Sequence, residues 1–397
     1  MEVVVLRFLC KGLSRFENQT LDVEFVTEKR VYSDEVESGT VELLFGHIYK
    51  LNSLAFAGIN ATGKTTVLNL LSELLQLFLG NISLTKDMKL ASFFESKLSL
   101  ESYFYQKDTK KLFKLCSTIE KDPATKELFF SQEVLLSKKA SSSISRDALF
   151  DYDESMVELN RSTIENSFLK GGDSIFSSIM NKYKNLGMSV HDLCRTTNHN
   201  LISNIAVGLL VPFAQYLDPS IENIVIKKEP KDTSTPIVFE IKFRHYKDPI
   251  FARIQDLELY LSSGTIKGLS CLSAIAVSFI FGGYVIIDEI ENHLNKTIVI
   301  NMIELFSSKV NNNNATLLFS THYSEILDSI DRSDSIYLFD KKDSISLDKY
   351  SHLANEKDRS DKKRSDLILS GLINSAPSYS AYRTLIDKLS SQLSKQD

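Results

Sequence analysis

One segment of the chain has the residue spacing of a phosphate-binding loop. Gly58-Ile-Asn-Ala-Thr-Gly-Lys-Thr65 matches the pattern GxxxxGK followed by Ser or Thr. Its glycines let the backbone curl until successive N–H groups point at a phosphate. Lys64 can span the β- and γ-phosphates, and the Thr65 hydroxyl can ligate Mg²⁺. The residues predicted to bind the triphosphate and its metal are Gly58, Asn60, Ala61, Thr62, Gly63, Lys64, Thr65 and Thr66.

A second segment places two carboxylates at the end of an apolar run. Tyr284-Val-Ile-Ile is followed directly by Asp288 and Glu289. Asp288 would hold Mg²⁺ and Glu289 would polarise the water that attacks the γ-phosphate. Alone, such a run ending in Asp-Glu is common at strand ends and is usually structural. The phosphate loop upstream favours the catalytic interpretation.

A third segment could bind a γ-phosphate at a helix N-terminus. Leu261-Ser-Ser-Gly-Thr265 opens an apolar helix. Its candidate ligands are the hydroxyl groups of Ser262 and Ser263 and the N–H of Gly264. In isolation this pentapeptide would be no more than an N-capped turn. Its position between the phosphate loop and the Asp-Glu pair favours phosphate binding.

A histidine completes the set. The predicted strand Leu317-Leu-Phe-Ser-Thr ends at His322, beyond the Asp-Glu pair. This side chain could donate a hydrogen bond to the γ-phosphate and help to position the water. A single histidine at a strand end is usually structural or solvated, so its place in the ordered set supports the catalytic role.

Hydrophobic periodicity indicates the elements that must position these groups. Leu54–Ala57 is predicted to be a short strand that enters the phosphate loop, and a helix follows over Thr65–Phe78. Residues 140–215 are predicted to be mostly helical. The later part alternates helix and strand as in a parallel α/β sheet. These predicted elements are Thr265–Phe281, Tyr284–Asp288, Lys296–Val310, Ala315–Ser320 and Ser335–Phe339.

The composition is that of an ordinary globular protein, and it narrows the choice of partners. The 397 residues carry a formal net charge of −5, so no global basic surface indicates nucleic-acid binding, although a local patch remains open. The N-terminal apolar run is too short for a membrane span and has no cleavage site. Four scattered cysteines are typical of buried thiols in a reducing compartment. We therefore expect a cytoplasmic protein without membrane contact.

With these four motifs in order, the chain resembles the AAA-family ABC-type ATPases related to SMC, RecF and OLD proteins. Within that group it is similar to the ATPase subunits of phage-defence abortive-infection systems of the AbiL type. The segment Leu261–Thr265, here called the signature, has Ser-Ser-Gly-Thr where many ABC ATPases have Ser-Gly-Gly-Gln. The resemblance implies ATP and Mg²⁺ as cofactors and a homodimer or higher homo-oligomer. In such a dimer Ser262, Ser263 and Gly264 would bind the nucleotide held by the other subunit.

The expected fold is an α/β ABC-ATPase head with a mixed or parallel core sheet and an inserted, mostly helical lobe. Residues 1–139 would form the first half of the head and 140–215 the lobe. Residues 216–345 would form the second half, with the signature, the Asp-Glu strand and the histidine. Residues 346–397 would form a helical tail. The glutamine that contacts Mg²⁺ in this family has no clear position; Gln106 and Gln132 are candidates.

The resemblance also implies a biological role. The chain would hydrolyse ATP as a dimeric switch and control a separate effector, a nuclease or toxin. One alternative is a DNA repair or recombination ATPase of the RecF or SMC kind. Another is a nucleotide-gated scaffold with negligible turnover.

Overall fold

The phosphate loop and the Asp-Glu pair lie at the carboxyl ends of two strands in a central sheet. A computed structural model describes residues 3–80, 82–165, 169–181, 189–194, 208–228, 237–341, 343–354, 363–372 and 379–393. The central sheet has the strand order β10-β14-β15-β5-β16-β17 and is parallel from β10 to β16, with β17 antiparallel. The α/β fold class predicted from the sequence is confirmed.

The strands are β1 Val3–Lys11, β2 Thr20–Glu24, β3 Val41–Phe45, β4 Ile48–Leu51, β5 Ser53–Ala57, β6 Lys97–Gln106, β7 Lys111–Lys121, β8 Leu128–Lys139, β9 Val157–Asn160, β10 Ser189–Asp192, β11 Ile221–Lys228, β12 Ile237–Phe243, β13 Ile250–Arg253, β14 Gly283–Ile287, β15 Thr316–Thr321, β16 Ile336–Lys341 and β17 Ile345–Lys349. The α-helices are α1 Ser33–Ser38, α2 Lys64–Leu79, α3 Ile175–Asn181, α4 Leu210–Leu217, α5 Ser263–Phe281, α6 Lys296–Phe306, α7 Tyr350–Leu353, α8 Arg364–Leu367 and α9 Tyr379–Leu393.

The two faces of the central sheet bury different partners. On one face, α2 lies between this sheet and a six-stranded antiparallel sheet of order β2-β1-β6-β7-β8-β9. On the other face, α5 and α6 pack on the alternate residues of β5, β14 and β15. Strands covered on both faces are expected to be apolar throughout, and all five residues of β5 and of β14 are buried.

Helix α2 fixes the phosphate loop to this core. Its apolar residues recur at helical spacing, and Val67, Leu71, Leu74 and Phe78 have no exposed surface. The ring of Phe78 stacks on that of Phe8 in β1, with 6.2 Å between centroids. The helix predicted over Thr65–Phe78 is confirmed, and it ends at Gly80 as expected.

Several hydrogen bonds join the two large sheets, and one of them holds the strand that precedes Asp288. The backbone N–H of Val5 in β1 donates to the Tyr284 hydroxyl in β14 at 3.1 Å, where both groups are buried. Val5 stands at a register shift in the pairing of β1 with β6, between Val5 and Arg7. A buried N–H without a partner is costly, so Tyr284 holds the Asp-Glu strand against the antiparallel sheet.

The segment 140–215 differs from the prediction of a mostly helical lobe. Among its described residues, β9 extends the antiparallel sheet and β10 pairs with β14 at the edge of the central sheet. Helical content there is limited to α3, the start of α4 and short 3₁₀ turns. Edge strands of four residues carry too little periodicity to identify from sequence, because their partners are distant in the chain. The remainder of the segment lies outside the described residues.

A third, smaller sheet leads to the signature segment. Strands β11, β12 and β13 pair in antiparallel order and pack one face on α4 and the first turns of α5. Helix α5 is long and apolar enough to span a membrane, with a mean hydropathy of 1.6 over an 18-residue window. That window is 78% buried within the protein, as is usual for the core helix of a globular domain.

Candidate functional site

Two close approaches explain the glycines of the phosphate loop. A Cβ on Gly58 would lie 2.9 Å from Cβ of Phe339, and one on Gly63 would lie 2.7 Å from Cδ1 of Ile345. Gly63 also has a φ of +109°, which side chains rarely tolerate, and Ala61 has a φ of +64°. The Thr62 hydroxyl donates to the Ile59 carbonyl at 2.8 Å and closes the loop on itself. The loop is thus preformed in the curled shape that phosphate binding needs.

Lys64 is buried beneath this loop. Its Nζ donates to the carbonyl oxygens of Gly58 at 2.6 Å and Ile59 at 2.7 Å, and lies 3.0 Å from Nδ1 of His322. Burial lowers the pKa of Lys64 to about 8, against the opposing attraction of nearby carboxylates. A triphosphate beside the ammonium would supply further negative charge and so stabilise the protonated form of Lys64.

Asp288 joins three segments of the chain. Its Oδ2 accepts a hydrogen bond from the Thr65 hydroxyl at 2.7 Å, although the two residues are 223 positions apart. Its Oδ1 accepts one from the Ser320 hydroxyl at 2.5 Å. Ser320 in turn accepts the backbone N–H of Glu289 at 2.7 Å. The Thr65 hydroxyl and the Asp288 carboxylate are adjacent hard oxygen ligands, as an Mg²⁺ ion prefers.

Glu289 and His322 face each other across the site. Nε2 of His322 lies 3.1 Å from Oε1 of Glu289. The backbone N–H of His322 donates to the Glu291 carboxylate at 2.7 Å, and Lys267 donates to the Glu289 carbonyl at 2.7 Å. Glu289 has a φ of +45°, a strained conformation for a residue with a side chain. Strain held by several bonds is typical of a functional position, because the surrounding contacts must offset its cost.

A cavity of about 500 Å³ opens above these groups. Of the residues predicted to bind the triphosphate or to act on it, Asn60, Ala61, Gly63, Lys64, Thr65, Thr66, Glu289 and His322 line it. The glycine-bounded loop, the cation and the paired oxygens fit a nucleoside triphosphate with Mg²⁺. Lys64 and Thr65 would meet the phosphates and the metal, and Asp288 would complete the metal's protein ligands.

Sequence reasoning missed one wall of the cavity and three supporting side chains. Ser14, Arg15, Lys341, Asp343 and Ile345 also line the cavity. Ile345 donates its N–H to the Arg15 carbonyl at 2.8 Å, which ties this wall together. The supporting residues are Ser320, Glu291 and Lys267. Glu291 lies close to the acidic pair and Ser320 close to His322, whereas Lys267 lies in no recognisable motif.

The signature residues lie apart from the cavity of their own chain. The Ser262 hydroxyl caps α5 by accepting the N–H of Thr265 at 3.0 Å. The Ser263 hydroxyl is 3.4 Å from Nδ1 of His293, and a Cβ on Gly264 would lie 2.3 Å from the His293 carbonyl oxygen. Ser262, Ser263 and Gly264 are not among the described residues that line the cavity. They present a helix N-terminus elsewhere on the surface.

The two glutamine candidates do not approach the site. Gln106 is buried at the end of β6 and Gln132 lies on β8, both in the antiparallel sheet. Strand β10 instead runs parallel beside β14, so Asp192 reaches the same edge of the central sheet as Asp288. Asp192 accepts a hydrogen bond from Ser72 of α2 at 2.6 Å.

The depressed pKa of Lys64 predicts a pH-dependent stability. In the folded, nucleotide-free protein the ammonium loses its proton near pH 8, whereas the unfolded chain retains it to about pH 10.5. Folding therefore releases a proton between these values, and the free energy of unfolding should rise with pH there, by at most about 3 kcal/mol. Lys64→Met, which has no such proton, should lack this rise.

Urea unfolding of both proteins in EDTA, from pH 7 to pH 10.5, measures the difference. The free energy of unfolding of Lys64→Met is subtracted from that of the wild type at each pH. If this difference stays flat or falls as the pH rises over this window, the depressed pKa of Lys64 is contradicted.

Comparisons with known proteins found solved structures that are similar to this chain. No curated protein shows a significant sequence match. The SMC head domain from Thermotoga maritima aligns with 87% of this chain and 98% of its own, at 12% identity and a TM-score of 0.39. The Smc head domain with a coiled coil and joint from Pyrococcus yayanosii aligns with 88% and 97%, at 10% identity and a TM-score of 0.44. The recombination mediator protein RecF aligns with 87% and 98%, at 11% identity and a TM-score of 0.36.

The family match covers all four motifs. Residues 53–328, more than half of the chain, match the family described as "AAA domain, putative AbiEii toxin, Type IV TA system". This span runs from the strand that precedes the phosphate loop to the segment just after His322. The chain therefore belongs to this AAA-domain family.

Proposed function

We propose that the protein binds ATP with Mg²⁺ and hydrolyses it to ADP and phosphate. The observation that carries this proposal is the convergence of three distant segments on one site: Lys64, Thr65, Glu289 and His322 line one cavity, and Asp288 is hydrogen-bonded to Thr65. Membership of an AAA-domain family supports the same chemistry.

Each side chain has a distinct task in the proposed reaction. The loop N–H groups and Lys64 bind the phosphates, while Thr65 and Asp288 would hold the metal, which would offset charge on the phosphate oxygens. Glu289 accepts a proton from the attacking water as its oxygen bonds to the γ-phosphorus and the bond to the bridging oxygen breaks. His322, within hydrogen-bond distance of Glu289, donates to the γ-phosphate and helps to orient the water.

Point variants separate binding from hydrolysis. Lys64→Ala should abolish ATP binding, because the loop loses its cation. Glu289→Gln should bind ATP normally but release phosphate at least about 10²-fold more slowly, because only the proton acceptor is lost. Isothermal titration and steady-state phosphate release measure the two properties.

The outcome also decides between an enzyme and a nucleotide-gated scaffold. Wild-type turnover by Glu289→Gln would show that this carboxylate is not the base. Negligible phosphate release by the wild type, with ATP bound, would favour the scaffold.

The protein would act as a homodimer with two composite sites. The signature residues lie at an exposed helix N-terminus, away from their own cavity, so only a second copy could bring them to a nucleotide. The residues just before them are apolar and exposed, with Leu259 at 75% and Tyr260 at 42%, which suits a surface that another chain covers. In such a dimer each phosphate loop would face the partner's Ser262 and Gly264.

Complementation between two inactive variants tests the shared site. Ser262→Arg should bind ATP but hydrolyse it poorly, because the bulky cation displaces the partner's γ-phosphate. Mixing it with Lys64→Ala should restore part of the activity, since one composite site then has both intact halves. Absence of recovery, with heterodimers shown by native mass spectrometry, would argue against shared sites.

The biological role we propose is that of a cytoplasmic ATPase component in phage defence, which restrains or licenses a separate toxic effector. The description of the matching family as AbiEii-type supports a link to toxin–antitoxin systems. The described side chains outside the ATP site show no grouping of three or more metal-ligating residues, as a metal-dependent nuclease would need. A second protein would therefore carry the toxic activity.

Growth assays test this division of labour. Expression of the ATPase alone should be harmless, and co-expression with the product of an adjacent gene should arrest growth on phage infection. Glu289→Gln should change that outcome by holding the ATP-bound dimer closed. Cleavage of DNA or RNA by the isolated chain, sensitive to its own point mutations, would refute the two-component proposal.

A further inference from the structure

The outer face of the small sheet β11–β13 is exposed on its two flanking strands, whereas Val238 in the central strand is buried, and the face carries mixed apolar and basic side chains. Its inner face, with Ile224, Phe239 and Ile241, is buried against α4 and α5. The outer face consists of the alternate residues along each strand: Val225, Lys227, Val238, Glu240, Lys242, Phe251 and Arg253. We call these residues, together with the β12–β13 turn Arg244–Asp248, the platform.

Cross-strand register arranges the platform in rows. Lys227 and Arg253 flank Val238 in one row, and Val225 and Phe251 flank Glu240 in the next. Glu240 is ion-paired with Lys227, so its charge is compensated. The other acidic group of the platform is Asp248, in the turn.

The platform is locally basic on an acidic protein. Five basic residues, Lys227, Lys242, Arg244, Lys247 and Arg253, stand against two acidic ones, in a chain of formal net charge −5. The side chains of Arg244 and Arg253 are exposed and make no hydrogen bond or ion pair with any described residue. Lys242 donates to the Lys247 carbonyl at 2.7 Å and keeps its charge at the base of the turn.

Two aromatic rings are exposed among these cations. Phe251, on the edge strand β13, has 59% of its surface exposed. Tyr246 in the turn has 61% exposed, and its ring lies 5.8 Å from that of Phe243, which packs against the core on the inner face. Lys227 Nζ lies 5.9 Å from the centroid of the Phe251 ring. A single exposed ring is common on protein surfaces, but a ring bordered by cations fits a flat, anionic partner that can stack and pair at once.

We propose that the platform binds single-stranded nucleic acid. A base would stack on Phe251, while Arg244, Arg253 and Lys247 pair with the phosphates. This combination of aromatic stacking and a basic path for the backbone is how sheet surfaces bind single strands without strong sequence preference. A duplex has its bases stacked internally and would use only the basic groups.

The position of the platform suggests what such binding would do. Strand β13 ends at Arg253, and only one 3₁₀ segment, Ile254–Leu259, separates it from the signature residue Ser262. Leu257 of that segment is fully buried in the same core as the sheet. A bound strand would therefore stabilise the region that carries the signature and raise ATP turnover. This coupling, unlike the binding itself, rests on the proposed ATPase function.

Fluorescence anisotropy with 20-nucleotide single-stranded DNA, single-stranded RNA and duplex DNA, from 50 to 300 mM salt, tests the binding. The single strands should bind in a salt-dependent manner and more tightly than the duplex. Phe251→Ala should weaken their binding by roughly tenfold, and Arg244→Glu with Arg253→Glu should weaken it further and flatten the salt dependence. Phe251→Tyr should retain binding, because it keeps a ring.

Matched controls are Tyr32→Ala and Lys309→Glu, an exposed aromatic and an exposed cation that lie outside the platform. Neither should change the affinity, and thermal unfolding checks that all variants fold. Failure of both single strands to bind at 50 mM salt would overturn the proposal. So would equal affinity of the platform variants and the wild type, or a preference for duplex.

Repeating the titration with Lys64→Ala separates the two proposals. Binding that persists in this variant supports the platform even if the ATPase proposal fails. Stimulation of phosphate release by the single strand in the wild type, but not in Phe251→Ala, would support the coupling. Unchanged turnover with the strand bound would refute the coupling alone.

Discussion

The parallel register of β5, β15 and β14 is the constraint on which the site depends. Thr321 pairs with Ala57, so β5 and β15 end together, and Ile287 pairs with Phe319, so β14 ends two residues earlier. The phosphate loop follows β5, Asp288 follows β14 and His322 follows β15. Because the strands are buried on both faces, a slip by one residue would exchange the two cores, and the register is strongly fixed. Groups distant in sequence therefore meet within hydrogen-bond distance.

Ser320, at the end of β15, holds both members of the Asp-Glu pair in place. Its hydroxyl donates to the Asp288 carboxylate and accepts the Glu289 N–H, which uses both capacities of the group across two adjacent strands. Glu289 is thereby held at its strained φ, with its side chain toward His322. Lys64 sits in the same buried space, and the desolvation that lowers its pKa outweighs the attraction of the neighbouring carboxylates. The protein alone therefore does not fully stabilise the Lys64 ammonium, and an anionic ligand supplies the missing stabilisation.

Local patterns predicted the parts of this arrangement that depend on contiguous residues. The phosphate loop, α2 and the strands before Asp288 and His322 follow from short-range spacing and burial. The wall formed by Arg15 and Ile345 did not, because it requires β17 to lie beside the turn after β1. Strand β10 was missed for the same reason, since its four residues acquire meaning only beside β14. Lys267 gave no signal either, as a lysine in an apolar helix looks like a surface residue until its partner carbonyl is known.

The signature segment shows how a structural role and a functional one can coincide. The Ser262 hydroxyl accepts the Thr265 N–H as a helix cap, yet its own proton and a second lone pair leave it able to donate to a phosphate. Gly264 is required by a different contact, the approach of the His293 carbonyl, which leaves no space for a side chain. His293 follows Glu289 and Glu291 on the same turn, so the signature packs directly on the segment after the acidic pair. A phosphate bound at this helix N-terminus would therefore lie next to a segment whose backbone is continuous with Glu289, the proposed base.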